Sequence, residues 1–304
     1  MRLWVVVPAF NEAENLADLL PRIVDNATLI DPAAQILVVD DGSSDQTVEV
    51  TSKLTAEFPQ IRCESLGRNR GKAAALQRGF DLAVEQGAEV LVMMDADGQD
   101  DPTELPRLVA QVEAGYGVAT GARYSRNDRF IKRNTSKIYN RATGILSGAP
   151  GKDFNSGFKA MSASVATEVS PMLYGELHRY LTVIAHWLGY QVTEVSVQHH
   201  ERMHGASKYG IARFWRGFLD LLTVRFLMSY ENRPLHLFGG IGFVLFALGG
   251  VTLSYLTVTW FMGEAIGDRP LLIGGVLLVV VGLQLMLFGL LAELIVYGRN
   301  RDPR

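Results

Sequence analysis

Only one cysteine, Cys63, occurs in 304 residues, so no disulfide framework can form within the chain, and this usage suits a reducing compartment. Excess positive charge is also missing. The 29 Lys and Arg against 32 Asp and Glu leave a formal net charge of -3, with no sign of a general nucleic-acid binder. The opening MRLWVVVPAFNEAEN has too short an apolar run, too soon followed by acids, for a signal peptide, and reads as the first strand of a fold. No G-x-G-x-x-G follows that strand, which removes the main support for dinucleotide binding. Internal repeats and low-complexity tracts are absent too.

Long uncharged runs are present, and they sit at one end. Residues 235–262 (LHLFGGIGFVLFALGGVTLSYLTVTWFM) and 271–298 (LLIGGVLLVVVGLQLMLFGLLAELIVYG) each exceed the roughly 20 residues needed to cross a bilayer. Two buried core helices would be the alternative, but the runs are too long and too free of charge for that. The short loop between them, GEAIGDRP, makes an antiparallel transmembrane hairpin and holds Glu264 and Asp268 with one cation, Arg269. Arg225, Arg233, Arg299, Arg301 and Arg304 lie on the outer flanks. The positive-inside rule then predicts a multi-pass protein of the cytoplasmic (inner) membrane, with the amino-terminal domain and both termini in the cytoplasm. Glu293 and Gln284 fall inside the second run, and an intramembrane acid is a functional candidate by default. The many glycines permit close helix packing, compatible with a homo-oligomer.

The remainder alternates strand and helix patterns. Strands are predicted at Leu3–Val7, Gln35–Val39, Ile61–Leu66 and Glu89–Met94. Leu16, Leu19, Leu20 and Ile23 have helical spacing, with Pro21 expected to weaken the end of that helix. A second helix follows Ser43, Ser44 and the capping acid Asp45, and a third ends at Gly87. Such alternation predicts an α/β fold with a mainly parallel sheet. Ligands of such sheets bind at the carboxyl ends of the strands. Four post-strand segments therefore belong together: PAFNE (8–12), DDGSSD (40–45), GRNRGK (67–72) and DADGQD (95–100).

Asp95-x-Asp97 after a greasy strand suits a hard divalent cation, Mg2+ above all, shared between carboxylates and a diphosphate. A solvated loop is the bland alternative for an isolated D-x-D, but here the neighbouring strand also ends in acids. Asp40 and Asp41 fit hydrogen bonding to a base edge or ribose, and Asp40 is assigned to ligand. Arg70 and Lys72 either offset diphosphate charge or are ordinary surface cations. Asp100 and Asp101 read as helix-start residues ahead of Pro102.

In order and spacing, VVPAFNEAENL, VVDDGSSDQT, GRNRGKAAALQRGF and MMDADGQDDP resemble the nucleotide-sugar half of a family 2 glycosyltransferase with the GT-A fold. TGARY, DFNSGFKAMS and HHERMHGASKYG are similar to its polyprenyl-phosphate branch, which includes dolichyl-phosphate mannose synthases and bactoprenol glucosyltransferases. The resemblance spans residues 3 to about 232, and the hairpin resembles the bactoprenol type. It implies three parts: a cytoplasmic GT-A domain (1–209), an amphipathic juxtamembrane segment (210–232), and a transmembrane hairpin with a short tail (233–304). Within 211–230, Phe214, Trp215, Phe218, Leu221, Leu222 and Phe226 near helical spacing fit a helix lying at the interface; packing on the soluble domain is the alternative.

Carried onto these residues, the resemblance implies that Pro8, Phe10, Glu12, Asp40, Lys72 and Asp95 bind the nucleotide. Asp95, Asp97 and Gln99 would hold Mg2+ or Mn2+. Arg123, Arg133, Ser136, Arg202, Ser207 and Lys208 would hold the acceptor phosphate, for which Arg forks plus hydroxyls are well suited. Some members carry an Asp directly before the Phe of the GFK-like motif, proposed as a base. That position is Gly157 here, and the nearest acid, Asp153, is carried with Asp95 and Asp97 as a catalytic candidate. The implied reaction is inverting transfer of one hexose from a nucleotide sugar to polyprenyl phosphate, with UDP-glucose or a similar UDP-hexose as donor and GDP-mannose as the competitor. A processive polysaccharide synthase would carry Q-x-x-R-W and more spans, which this chain lacks. A non-catalytic membrane scaffold is the third reading, opposed by the intact Asp95/Asp97 pair.

Overall fold

The computed structural model describes residues 1–123, 143–144, 147–200, 223–224, 226, 230 and 233–301. Arg133, Ser136, Arg202, Ser207, Lys208 and most of the 211–230 segment lie outside the described residues.

The strands are β1 (Leu3–Ala9), β2 (Gln35–Asp40), β3 (Ile61–Ser65), β4 (Val90–Met93), β5 (Val118–Arg123), β6 (Lys159–Ser162) and β7 (Val192–Val197). They form one sheet in the order β3-β2-β1-β4-β6-β5-β7. All pairings are parallel except those of β6, which runs antiparallel to β4 and β5. The helices α1 (Ala13–Ile30), α2 (Thr47–Glu57), α3 (Lys72–Glu85), α4 (Leu105–Glu113), α5 (Ala163–Val169) and α6 (Leu181–Trp187) connect them. The sheet is thus mainly parallel, and all four predicted strands are present.

β1 and β4 are buried along their whole length, as strands covered on both faces must be. The core on one face joins Leu16, Leu19, Leu20 and Ile23 of α1 to Val5, Val7, Val92, Leu105 and Leu108. Each fully buried aliphatic side chain contributes roughly 1.5–3 kcal/mol. That anchoring explains why α1 runs on past Pro21 to Ile30. Proline removes one backbone donor, but Ile23, Val24 and Ala27 beyond it stay buried and hold the helix together.

Chain connectivity reverses between β1 and β4: β2 and β3 lie on one side of β1, and β4 on the other. This is the switch point where ligands of open α/β sheets bind. The turns there are tightly tied. Asn11 has φ 57°, and its side chain accepts the Ser44 N–H at 2.8 Å. The Asn11 and Glu12 amides donate to Ser43 Oγ and Thr47 Oγ1. Asp45 accepts from the backbone and hydroxyl of Thr47, the first residue of α2. The PAFNE and DDGSSD turns therefore form one rigid rim.

The chain divides into two compact units, Met1–Val224 and Arg225–Arg304. The second contains α7 (Pro234–Phe261) and α8 (Pro270–Arg301), close to the two predicted spans. Only 17% and 11% of their most apolar windows are buried, so these are not core helices; their surfaces, with Phe243, Val251, Phe261, Leu277 and Ile295 exposed, suit hydrocarbon. The two helices meet backbone to backbone. A Cβ on Gly242 would lie 2.6 Å from the Gly282 carbonyl, and one on Gly249 would lie 2.8 Å from that of Gly275. Glu293 of α8 accepts the Leu235 N–H at 3.2 Å. It supplies a partner for an orphan donor at the start of α7, a structural use for the acid inside the second span.

Candidate active site

A cleft of about 320 Å3 opens at the carboxyl ends of β1, β2 and β4. Pro8, Phe10, Glu12, Asp41, Asn69, Gly71, Lys72, Asp95 and Asp97 line it. Phe10 is 44% exposed at the cleft, an apolar ring available for stacking. Three of the four post-strand segments thus supply its acids, and the fourth supplies Lys72.

The two acids after β2 have different tasks. Asp40 is only 1% exposed and accepts from Ser43 N at 3.0 Å and Ser65 Oγ at 2.8 Å, so it shapes the turn. Asp41 is the cleft-lining acid. It receives the backbone N–H groups of Arg70 and Gly71 at 2.7 and 2.9 Å, fixing the GRNRGK loop from which α3 starts. Gly42 must be glycine: φ is +73°, and a Cβ would lie 2.4 Å from the Arg68 backbone.

Lys72, at the head of α3, donates to Asp95 Oδ1. Burial alone would raise the Asp95 carboxyl, but Lys72, with lesser help from His178 and Lys159, holds it below its ordinary value. Asp95 presses against the backbone of the 153–157 loop, where a Cβ on Gly157 would come within 2.4 Å of its carboxylate. The position directly before the Phe of the GFK-like motif thus has no room for a side chain beside the Asp95 carboxylate.

A second ion pair faces this loop. Arg123, at the end of β5, donates through Nε and Nη2 to Asp153 Oδ2 and Oδ1 at 2.7 and 2.8 Å. Burial would lower the guanidinium's pKa; the hydrogen bonds and charge of Asp153 outweigh this and raise it. Glu194 of β7 accepts the Lys152 and Asp153 amides at 2.5 and 2.8 Å and holds the loop from behind. Asp153, nearest in sequence to the place of a base, thus braces Arg123.

Lys159 was not singled out by sequence reasoning. It is fully buried, donates to the Phe154 and Ser156 carbonyls, and burial pushes its amine down to about 8. His178, also missed, is 8% exposed and is acted on by Lys72, Arg179, Asp95 and Lys159. Lys159 is the Lys of the GFK-like motif but nothing local marks it as buried, and His178 carries no local sequence signal, because a lone His in a loop is usually exposed.

The loop after β4 is stitched to the segment after β7. Asp100 and His199 form an isolated antiparallel bridge, and the His200 N–H donates to the Gln99 carbonyl at 2.8 Å. His199 pairs with Asp100 at 3.2 Å and His200 with Asp101 at 2.9 Å. Burial raises the Asp100 carboxyl, and its hydrogen bond with His199 only partly offsets the effect. Asp101 also accepts the Thr103 N–H at 3.0 Å, the expected helix-start role.

Among the described residues no three His, Cys, Asp or Glu side chains converge as a self-sufficient metal cage. The donors nevertheless fit a Mg2+ or Mn2+ that completes its shell with substrate. Asp95 and Asp97 line the cleft as hard oxygen donors, Gln99 N–H braces Asp97 Oδ1 at 3.2 Å, and Lys72 stands beside them to face a diphosphate.

The model of glycosyl transferase family 2 matches residues 4–169, which covers β1 to α5 and the whole cleft. The chain belongs to this family. Like its relatives, it is a glycosyltransferase. The dodecaprenyl-phosphate galacturonate synthase of Rhizobium johnstonii is 35% identical, over 99% of this chain and 90% of that protein. The undecaprenyl-phosphate 4-deoxy-4-formamido-L-arabinose transferase of an Enterobacter species is 33% identical, over 97% and 88%. Among solved structures, a Pyrobaculum calidifontis mannosyltransferase in complex with GDP-Man and Mn2+ matches with TM-score 0.56 at 20% identity, over 76% of this chain and 64% of that one. A Mycobacterium tuberculosis glucosyl-3-phosphoglycerate synthase with Mn2+, UDP and phosphoglyceric acid matches with TM-score 0.55 at 18% identity, over 74% and 78%. These two establish the GT-A-like fold of this family 2 glycosyltransferase.

Proposed function

We propose that the protein transfers a single hexose, with inversion, from a nucleotide sugar to polyprenyl phosphate at the cytoplasmic face of a membrane. The observation that carries this reading is the switch-point cleft, where Lys72, Asp95 and Asp97 adjoin Phe10, Glu12 and Asp41. The acceptor class is supported by two curated relatives, aligned over nearly all of this chain, that are named for dodecaprenyl or undecaprenyl phosphate. Two helices long and apolar enough to cross a bilayer support a lipid-borne acceptor.

Pro8, Phe10, Glu12 and Asp41 border the nucleoside in this reading, with Asp40 setting the turn behind them. Asp95, Asp97 and Gln99 would hold the divalent cation, which when bound supplies Lewis-acid neutralisation of the leaving diphosphate. Mn2+ in the two solved neighbours supports that assignment. Lys72 shares the developing charge. An anionic phosphate oxygen of the acceptor forms the new bond to the anomeric carbon as the bond to the diphosphate breaks. That oxygen is already ionised near pH 7, so the step needs no strong base, consistent with Gly157 at the base position. The resemblance assigns the acceptor phosphate to Arg123, at the end of β5, and to Arg133, Ser136, Arg202, Ser207 and Lys208, which lie outside the described residues.

The donor is a UDP-hexose, glucose-like by the resemblance of the hairpin to the bactoprenol type. A uronate joins the test because one relative transfers galacturonate. The test supplies detergent-purified protein with undecaprenyl phosphate, Mg2+ or Mn2+, and radiolabelled UDP-glucose, UDP-galacturonate or GDP-mannose in turn. Organic-extractable label from a UDP-sugar, abolished by EDTA and reduced at least roughly 100-fold by Asp97→Asn, is the expected result. Transfer from GDP-mannose alone would replace the donor assignment. Undiminished transfer by Asp97→Asn would overturn the metal assignment.

A further inference from the structure

Lys159 is the only lysine among the described residues with no exposed surface. It is the first residue of β6, the strand between β4 and β5, and its register partners are Met93 and Thr120. Met93 stands two positions before Asp95, and Thr120 three before Arg123. A Met or Leu could fill such a place without the cost of taking an ammonium out of water. The amine is aimed instead at one short stretch of backbone. It donates to the Phe154 carbonyl at 3.2 Å and to the Ser156 carbonyl. Both residues are buried, so without Lys159 these carbonyls would lose that donor in a place shielded from solvent.

Those carbonyls belong to the loop that links two charged groups of the site. At one end Asp153 holds the Arg123 guanidinium through two hydrogen bonds. At the other, Gly157 lies directly against the Asp95 carboxylate. Glu194 fixes the start of the loop through the Lys152 and Asp153 amides, and Lys159 is the tie beyond it. We propose that Lys159 is a positioning residue for sugar transfer: through the Phe154 and Ser156 carbonyls it seats the 153–157 loop and so fixes the Asp95 carboxylate relative to the Arg123 guanidinium. An ammonium suits the task because one nitrogen carries three donors and can tie several carbonyls at once. Asp95 belongs to the donor side of the reaction proposed above and Arg123 to the acceptor side, and the inference rests on that reading. In-line attack tolerates little error in their spacing, since a displacement of about 1 Å can cost on the order of 100-fold in rate. No contact between Lys159 and a substrate is needed.

The test compares full-length protein in detergent with Lys159→Met, which keeps the length of the side chain and removes its donors, and Lys159→Gln, which keeps an N–H donor on a shorter stem. Thermal midpoint, UDP affinity at saturating Mn2+, and kcat and KM with undecaprenyl phosphate are measured for each. In Lys159→Met the midpoint should stay within a few degrees of the wild type, because relief of a buried charge offsets the loss of a donor to two carbonyls. UDP affinity should hold, since Phe10, Glu12 and Asp41 lie outside the loop. The kcat should fall roughly 10–100-fold, and Lys159→Gln should recover part of it. A purely structural role predicts that midpoint, UDP affinity and kcat fall together, and that pattern would overturn the proposal. So would wild-type kcat in Lys159→Met, or the failure of both variants to fold. Equal loss of kcat in both variants would place the effect in the charge and not in the tie, which overturns it as well. Wild-type protein that labels no lipid from any donor defeats the transfer reading and this inference with it, whereas an active wild type beside an unimpaired Lys159→Met removes this inference alone.

Discussion

Substituting Asp153 by Asn separates a brace from a base. Arg123 and Asp153 form two parallel hydrogen bonds of 2.7 and 2.8 Å with side chains 17% and 8% exposed, so the pair is largely desolvated. Removing one partner of such a pair leaves a buried charge uncompensated and costs about 3–5 kcal/mol. For a domain of 150–250 residues each kcal/mol lowers the midpoint by about 2–4 °C, so Asp153→Asn should melt roughly 10 °C below the wild type. Arg123→Met should do nearly the same, because it leaves the carboxylate unpaired. The double variant Arg123→Met/Asp153→Leu should recover most of the stability, since replacing both charges by apolar groups is often neutral. It should not recover sugar transfer if, as proposed, Arg123 also faces the acceptor. Thermal denaturation followed by intrinsic fluorescence, with lipid labelling on the same samples, reads both quantities. A base predicts the opposite pattern: Asp153→Asn would melt with the wild type, lose transfer and lose the acidic limb of its pH–rate profile. That outcome would refute the brace.

Gly157→Ala should leave the fold intact but lower transfer roughly 10-fold or more, because the added carbon meets the Asp95 carboxylate at 2.4 Å and displaces an acid of the metal loop; the check is kcat/KM against Mn2+ concentration. Lys159 predicts a pH dependence of stability. Its pKa falls from 10.5 unfolded to about 8 folded, so between those values the unfolded chain holds a proton that the folded chain has lost, and stability rises with pH. Below pH 8 both states are protonated and the full penalty, up to roughly 3 kcal/mol, persists. The midpoint of the wild type relative to Lys159→Met should therefore climb from pH 7.5 to pH 10, and a flat difference would count against the buried charge. Glu293→Ala removes the acceptor for the Leu235 N–H and should lower the stability of the hairpin by about 1 kcal/mol without altering nucleotide binding, as read from melting in detergent.

The first four strands, the cleft acids and both apolar helices were readable in the sequence because each has a local cause. Fully buried parallel strands are short apolar runs, Asp and Gly mark the turns that follow them, and a bilayer imposes a length. What could not be read depends on contacts across the chain. Asp40 and Asp41 are adjacent and identical. Distant donors, among them the Ser65 hydroxyl, 25 positions from Asp40, and the Gly71 amide, 30 positions from Asp41, help decide which acid turns inward and which lines the cleft. Pro21 looked like a helix end, but the buried residues beyond it outweighed the lost donor. Asp153 was assigned by proximity to the place of a base, and its partner is fixed by β5, 30 positions away.

The buried charges also explain why the site can wait for its substrate. Lys72 with Asp95 and Arg123 with Asp153 are each paired within the chain, so these charges are compensated before a ligand arrives. A diphosphate with its cation brings compensating charges of its own. In the proposed reading it would enter beside these pairs with little net change in charge, and Lys72 would be shared between Asp95 and a phosphate oxygen.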